Sequence, residues 1–354
     1  MGDYKAVAAL NASLRKTAEI LFTKFNPYFW LKLALVLLIA NFTLGGSGFG
    51  QNLSSPHEDL NFNITTEVLI VVIFVALFLI ALSLTFQYLS SVFKFMFIES
   101  LSKEDVRFIA WFRGNMERGL ALFLFTIAID LVLILSMVIL AVLFFGIVFY
   151  FENAAVTILL ATLFFTAIFA LAILSSLISS FTTDFAMPLM LGRRLGILEA
   201  WSRIIQLVRE NPGEFIVYLL LKIILTLITS VISGVIGIVV ILVVIVIAAI
   251  AVFGVAAILL LAVGAFPALS PILLVAIFFG IILLMLLMIF TGYVTIVLTL
   301  PIPVFLRLYS IYFIQYFDPD VRLVSEESEK PKPPAARKRR TANREKMISD
   351  LEVY

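Results

Sequence analysis

Three ionisable side chains lie in or beside long apolar runs, where they could act within a membrane: Asp130, Asp184 and Lys222. Asp130 falls near the middle of its run, and carboxylates at such positions are costly and are candidate functional groups. One interpretation is a proton or cation relay. The alternative is a carboxyl group that is hydrogen-bonded to neighbouring hydroxyls or is uncharged, because burial disfavours the charged form.

Lys222 and Asp184 have simpler structural interpretations. Lys222 lies a turn or two inside its run, so its ammonium group can reach the membrane surface along a flexible stem. The alternative to this position at the surface is an ion pair between Lys222 and Asp130. Asp184 could pair with Arg193 or Arg194, or cap the following segment, and these structural roles are favoured over ion binding.

The sequence lacks the residues of the common catalytic and metal sites. It has no cysteine and a single histidine, His57. One histidine without cysteine does not build the usual transition-metal site or a Ser/His triad. The glycine loops that hold nucleotide phosphates are missing as well. We therefore expect no cofactor and no enzymatic activity, with an intramembrane aspartate mechanism as the one remaining route to catalysis.

The composition places these residues in a membrane protein. Hydrophobic residues make up 63% of the chain, charged residues 14%, and the mean hydropathy is +1.15. Soluble domains carry about 25% charge. Apolar runs of about 18 residues or more recur, which is enough to cross roughly 30 Å of hydrocarbon. The sequence predicts an all-α fold, a polytopic transmembrane helical bundle of about six spans with three cytoplasmic interfacial amphipathic helices.

Polar or charged segments separate the predicted spans. The spans cover roughly 28–44, 67–93, 119–149, 155–180, a run that begins near 215, and 272–300. The run 215–264 would measure about 75 Å as a helix, too long for one crossing. We expect one crossing there, followed by a re-entrant or outer-surface hairpin at 246–271. Two crossings, which would give an odd number of spans, remain the alternative.

The positive charges predict the orientation. All 25 Lys and Arg lie in the N-terminal segment, in 94–118, in 193–209, in the C-terminal part, or at span ends near them. The connections 45–66, 151–154 and 246–271 contain none. Since Lys and Arg are concentrated in cytoplasmic loops, both termini are predicted to be cytoplasmic, in a multi-pass protein of the cell membrane.

A surface helix, an Asn-centred break and a membrane hairpin follow one another three times. The breaks lie at Asn26-Pro27, Asn115-Met116 and Asn211-Pro212-Gly213. The repeat units would be 1–98, 99–190 and 191–316. Amphipathic helices of this kind lie in the interface with their apolar side toward the acyl chains. The predicted aromatic anchors at this interface are Trp30, Trp111 and Trp201.

Polar residues also form stripes along three spans. They are Ser83, Gln87, Ser90, Ser91 and Lys94; Thr226, Ser230, Ser233, Gly234 and Gly237; and Thr291, Thr295 and Thr299. One interpretation is a lined pathway through the membrane. Close packing of helices through small and hydroxyl residues is the favoured interpretation.

A polar loop and the polar C-terminal segment contain further predicted sites. Asn52 and Asn63 in the loop 45–66 begin N-x-S/T sequons, which makes them candidate glycosylation sites. After the membrane domain 1–316, the segment 317–354 is a predicted disordered cytoplasmic tail that is basic from 330. Its candidate contacts with anionic lipid headgroups are Lys332, Arg337, Lys338, Arg339 and Arg340. A solvated tail that only enforces topology is the alternative, and nucleic acid is not a favoured partner.

One segment carries a resemblance. Its residues are Asp184, Pro188, Gly196, Ala200-Trp201, Asn211-Pro212-Gly213, Phe215 and Tyr218. The pattern resembles uncharacterised archaeal and bacterial multi-span proteins, and it is similar to the membrane domain attached to some glycerophosphodiester phosphodiesterases. This resemblance implies no catalysis, because the phosphodiesterase activity belongs to a soluble barrel with a His/Glu/Asp metal site that this chain does not contain.

Two functions follow as hypotheses. The first is a structural membrane protein that organises lipid or a partner, which would be another membrane protein or a second copy of this chain. The second is a transporter or channel whose polar pathway includes Asp130. The first is favoured, because few ionisable residues lie within the spans.

Overall fold

The computed structural model describes residues 4–41, 66–150, 154–265, 270–321 and 323–324. Within these residues the chain forms ten α-helices and no strand. The helices are α1 (Lys5–Ala18), α2 (Pro27–Asn41), α3 (Thr66–Lys103), α4 (Phe108–Tyr150), α5 (Ala154–Phe181), α6 (Met187–Arg193), α7 (Ile197–Glu210), α8 (Pro212–Ala265), α9 (Ser270–Thr299) and α10 (Pro301–Phe317). A π-helical turn, Glu19–Thr23, follows α1, and a second one, Thr182–Ala186, joins α5 to α6.

The prediction of an all-α membrane protein is confirmed. Five helical segments are long and apolar enough to cross a membrane: Thr66–Lys103, Phe108–Phe149, Ala155–Arg193, Pro212–Ala249 and Phe278–Thr299. The predicted first span corresponds to α2, an apolar helix of 15 residues. That is shorter than the roughly 20 residues of a typical crossing, and the rest of this predicted span, 42–44, lies outside the described residues.

The longest apolar run forms one continuous helix. α8 extends for 54 residues without a break, which corresponds to about 81 Å at 1.5 Å per residue. The predicted hairpin at 246–271 therefore has no turn between 246 and 265; residues 266–269 lie outside the described part of the chain. The physical reason is that no proline interrupts the run before Pro267, and isolated glycines do not stop a helix that is otherwise rich in Ala, Leu, Ile and Val.

Two of the three predicted asparagine breaks lie between helices, at Asn26-Pro27 and Asn211-Pro212. The third, at Asn115-Met116, is wrong: α4 continues through it because no proline follows Asn115, and the chain breaks between Lys103 and Phe108 instead. The side-chain oxygen of Asn26 accepts hydrogen bonds from the backbone N–H groups of Tyr28 at 3.0 Å and Phe29 at 3.3 Å, which caps α2. Asn211 lies between α7 and α8, and α8 begins at Pro212. Proline suits the first turn of a helix because the N–H that it lacks would have no helical partner there.

The membrane helices pack side by side in an open arc. α4 packs between α3 and α5, α3 packs on α2, α2 on α9, and α9 on α8. α5 and α8 are therefore the two ends of this order. At the α3–α4 contact a glycine permits a close approach of the two backbones, because a Cβ on Gly119 would overlap the Val92 side chain and lie 2.9 Å from Val92 Cα.

Most buried side chains lie in a layer that packs across one end of the membrane helices. This packed layer consists of α1, α6, α7, α10, the second π-helical turn and the adjoining ends of α3 and α8, which contact one another. Its centre is aromatic. The ring of Tyr218 lies 4.4 Å from that of Phe313 and 4.9 Å from that of Tyr309, and Phe185 lies 5.5 Å from Phe215.

Outside the packed layer, the spans leave their apolar side chains uncovered. The most apolar 18-residue window of each of the five candidate spans contains no buried residue. Lipid tails are as apolar as leucine, so membrane helices gain little from burying apolar faces against one another. The fold is therefore held mainly by the packed layer, and the spans present apolar surface to their surroundings.

Candidate functional site

The second π-helical turn places a carboxylate between α5 and α8. Asp184 lies in this turn and is buried. Its Oδ2 forms an ion pair with Lys222 Nζ of α8 and accepts hydrogen bonds from the hydroxyls of Tyr218 and Ser180, each at 3.2 Å. Lys222 also donates to Ser180 Oγ at 2.8 Å. Because π-helical turns shift side chains out of the regular helical register, they often occur at functional sites.

A half-buried arginine, Arg307, also lies beside this turn. Arg307 of α10 donates from its guanidinium group to the backbone oxygen of Thr183. Burial lowers the pKa of Arg307, and the negative charge of Asp184 acts in the opposite direction; arginine remains charged in proteins. Burial and then Asp184 raise the pKa of Tyr309. Asp184 therefore faces two cations, Lys222 and Arg307, from two different helices.

A cleft separates α5 from α8 on the side of this ion pair that faces away from the packed layer. Its volume is about 660 Å³. Its walls are Ala172, Ile173, Ser176, Leu177 and Ser180 of α5, and Leu219, Lys222, Ile223, Thr226 and Leu227 of α8. Lys222 and Ser180 lie at the end nearest the packed layer, whereas Ile173, Leu177, Ile223 and Leu227 are exposed. The cleft is thus apolar along most of its length and polar at one end.

A second, smaller cavity lies on the other side of α5, between α3, α4 and α5. Its volume is about 150 Å³. It is lined by Lys94, Leu122, Phe125, Thr126, Ile129, Asp130, Ser175, Ile178, Ser179, Thr182, Thr183 and Met187. Asp130 Oδ2 lies 3.5 Å from Gln87 Nε2, which donates a long hydrogen bond to it. An ammonium group, a carboxylate and several hydroxyls thus line one cavity, and Asp130 is exposed.

Comparison with known proteins identifies the family of this chain. A family model described as a family of unknown function (DUF7544) matches residues 4–324. The chain belongs to this family. No curated protein and no solved structure matches it significantly. The family model describes no activity, so the resemblance to membrane domains of glycerophosphodiester phosphodiesterases stays a prediction.

In this member of DUF7544, the predicted polar residues fall into two separate sites. Lys222 pairs with Asp184, and Asp130 lies in the other cavity with Gln87 as its neighbour. The guanidinium of Arg193, considered above as a partner of Asp184, instead binds the carboxylates of Asp318 and Asp320.

Sequence reasoning did not single out Arg307, and it placed Lys94 only as the last member of a polar stripe. A signal for Arg307 exists: it is a lone cation in the aromatic segment between Pro301 and Phe317. For Lys94 the signal is its position on the same helical face as Gln87 and Ser91, because residues three and four apart are neighbours on a helix.

The three predicted tryptophan anchors make protein contacts. Trp30 Nε1 donates to the backbone oxygen of Val297 on α9 at 2.9 Å. Trp111 is buried at the start of α4, with the ammonium of Lys103 5.4 Å from its ring centre. Trp201 of α7 lies 6.1 Å from the ring of Phe125. All three rings therefore help to join helices, and a role at the membrane surface stays a prediction.

The threonine stripe of α9 bonds within its own helix. The hydroxyls of Thr291, Thr295 and Thr299 donate to Leu287, Thr291 and Thr295 backbone oxygens at 2.6, 2.9 and 2.8 Å. These donors are used locally, so the stripe offers no free hydroxyl protons to a pathway.

The remaining predicted sites lie outside the described residues. These are the sequons at Asn52 and Asn63 and the basic tail residues Lys332, Arg337, Lys338, Arg339 and Arg340. In the part of the chain that the structure describes, no group of three or more His, Asp or Glu side chains is placed to hold a metal ion.

Proposed function

We propose that this chain is a multi-pass membrane protein that organises lipid, or a membrane partner, and that it is not an enzyme. The observation that carries the proposal is the α5–α8 cleft, about 660 Å³ in volume, with apolar walls and Lys222 at one end. A membrane lipid has the matching chemistry, because its acyl chain is apolar and its headgroup polar. Lys222 and Ser180 are donors suited to the oxygens of a headgroup.

The uncovered surfaces of the spans support the same function. Large apolar side chains are exposed along α3, α4, α5 and α8. Such surface in a membrane contacts either lipid or another membrane protein. The partner would be a different membrane protein or a second copy of this chain, while the basic tail would add electrostatic attraction to anionic headgroups.

The location follows from the distribution of charge. We place the chain in the cell membrane with both termini in the cytoplasm, because its Lys and Arg residues are concentrated in the segments that this orientation keeps inside. The packed layer would then lie at the cytoplasmic surface, beneath the inner leaflet. In that arrangement the polar end of the cleft meets the lipid headgroups of the inner leaflet.

The test is to fill the cleft. The full chain, in nanodiscs of defined phospholipids, is expected to retain lipid in native mass spectrometry after detergent extraction. Leu177→Trp should reduce the retained lipid severalfold, since its ring would occupy the cleft. Leu159→Trp on the same helix is the control, because Leu159 is exposed and does not line the cleft. Equal retention by both variants and the unchanged protein would contradict lipid binding in the cleft.

Transport is the second candidate function, and the position of Asp130 in a polar cavity favours it. If the cavity lies on an ion or proton path, Asp130→Asn abolishes coupled flux in reconstituted vesicles. Absence of flux from the unchanged protein, together with copurification of a membrane partner, would reject transport and support the organising role.

A further inference from the structure

The cavity between α3, α4 and α5 contains a cation without a partner. Lys94 is half-buried on α3, and its side chain lines the cavity. Among the described residues, no side chain or backbone group accepts a hydrogen bond from Lys94 or forms an ion pair with it. A charge removed from water without a partner is costly. The arrangement therefore favours an anionic group in the cavity.

The charge around Lys94 increases this preference. Arg307, which reaches the neighbouring π-helical turn from α10, lies close enough to act electrostatically on Lys94. The nearby carboxylate of Asp184 is already neutralised by its ion pair with Lys222 on the other side of α5. The positive charge at this end of the cavity is thus not balanced by a neighbouring carboxylate.

Two serines provide further donors. The hydroxyls of Thr126, Thr182 and Thr183 donate to backbone oxygens of their own helices, at 2.9, 2.7 and 2.6 Å. Ser175 and Ser179 differ, because within the described chain their hydroxyls have no hydrogen-bond partner. They are one helical turn apart, so both face the cavity. Together with Lys94 they can donate to the oxygens of one anion.

The opposite charge is present in the same space. Asp130 of α4 lines the cavity, and its hydrogen bond from Gln87 is long, at 3.5 Å. Its carboxylate can therefore still accept hydrogen bonds from a cation. Liquid water occupies about 30 Å³ per molecule, so the cavity of about 150 Å³ has room for a small group.

We propose that this cavity binds a zwitterionic group, with its phosphate or carboxylate at Lys94, Ser175 and Ser179 and its ammonium at Asp130. The source is either the headgroup of phosphatidylethanolamine, with the acyl chains outside the cavity, or a free solute such as phosphoethanolamine. This site is distinct from the α5–α8 cleft, and binding there requires neither lipid in the cleft nor transport.

The binding test uses the full chain in phosphatidylcholine nanodiscs, which are titrated with phosphoethanolamine or prepared with added phosphatidylethanolamine or phosphatidylglycerol. Binding of phosphoethanolamine is measured by calorimetry and lipid retention by native mass spectrometry. We expect phosphatidylethanolamine or phosphoethanolamine to bind. Binding of the lipid alone identifies a headgroup, and binding of the solute alone identifies a free zwitterion. Absence of both overturns the proposal, and so does retention of phosphatidylethanolamine that phosphatidylglycerol matches in the Leu177→Trp variant, whose cleft is filled.

Variants separate the two halves of the site. Lys94→Gln should weaken binding about tenfold or more, as expected for loss of a hydrogen bond to a charged group. Asp130→Asn should abolish the preference for phosphatidylethanolamine over phosphatidylglycerol. The double variant Ser175→Ala/Ser179→Ala keeps both charges and should also weaken binding, which provides a second test if Lys94→Gln does not fold.

Ser176→Ala is the matched control, because Ser176 follows Ser175 directly but lines the α5–α8 cleft. Its binding of phosphoethanolamine, measured by calorimetry, should equal that of the unchanged protein. If Ser176→Ala weakened binding as much as the Ser175→Ala/Ser179→Ala variant, the site would not be the cavity. Leu177→Trp, which fills the cleft, should leave phosphoethanolamine binding intact, so failure of the cleft proposal is distinguishable from failure of this one.

Discussion

The ammonium group of Lys222 on α8 forms an ion pair with the carboxylate of Asp184, which lies in the π-helical turn after α5. α5 and α8 are the two ends of the arc of membrane helices. Their side chains meet at this pair, while a cleft separates the two helices farther from the packed layer. The pair therefore holds α5 and α8 together at the end nearest the packed layer.

Breaking this pair should destabilise the fold. Asp184→Asn leaves Lys222 without its counter-charge in a largely buried position, and such a loss costs roughly 3 kcal/mol or more. The double variant Asp184→Asn/Lys222→Met should recover part of the stability, because the ammonium group that Asp184→Asn leaves unpaired is removed. The measurement is the thermal unfolding midpoint in detergent, followed by tryptophan fluorescence.

The exposed pair of Arg107 with Asp105 is the control for this prediction, since both side chains are more than half exposed. Arg107→Met should leave the unfolding midpoint nearly unchanged. A midpoint for Asp184→Asn as high as that of Arg107→Met would show that the buried pair does not stabilise the fold.

The contact of α3 with α4 should depend on Gly119. A Cβ at this position would overlap the Val92 side chain and approach its backbone, so Gly119→Ala must push the helices apart. We expect a loss of roughly 1–3 kcal/mol, as for other overpacked sites. Gly114→Ala on the same helix is the control, because no atom outside its own helix lies within 4 Å of the added carbon. Equal unfolding midpoints for the two variants would contradict the close approach.

Asp318 should hold the end of α10 against α6 and α7. Its carboxylate is 2% exposed and accepts from Arg193 at 3.0 Å and Arg203 at 3.3 Å. Asp318→Asn removes the charge that both arginines share, so amide hydrogen exchange should accelerate in the last turn of α10 and in α7. Asp320→Asn is the control, because its carboxylate also binds Arg193 but is 71% exposed. Unchanged exchange in Asp318→Asn would rule out this role.

The orientation can be tested with single cysteines, because the natural chain contains none. Ser54→Cys and Ile258→Cys should react with a membrane-impermeant maleimide on intact cells. Ser328→Cys should react only after the membrane is permeabilised. The reasoning is that the connection around Ser54 and the part of the chain around Ile258, which lies in α8, lack Lys and Arg. Labelling of Ile258→Cys only after permeabilisation would contradict both the six-span count and the proposed orientation.

Much of the fold was predictable from local sequence. The spans follow from uninterrupted apolar runs, because a backbone in lipid must satisfy its own hydrogen bonds and a helix does so within one segment. The breaks at Asn26-Pro27 and Asn211-Pro212 were predictable for a similar reason, since asparagine and proline act on the backbone beside them. The hairpin predicted at 246–271 was placed by span counting, a global argument, and the helix continues through most of that range.

The partners of the charged side chains were decided by tertiary structure. Helical periodicity assigns Lys222, Asp184, Lys94 and Asp130 to faces of their own helices, but it does not state which helices are neighbours. The order of the arc places α5 between two sites, so that Asp184 meets Lys222 on one side and Lys94 shares a cavity with Asp130 on the other. Ion pairs and cavities form between segments distant in sequence, and their geometry depends on how those segments pack.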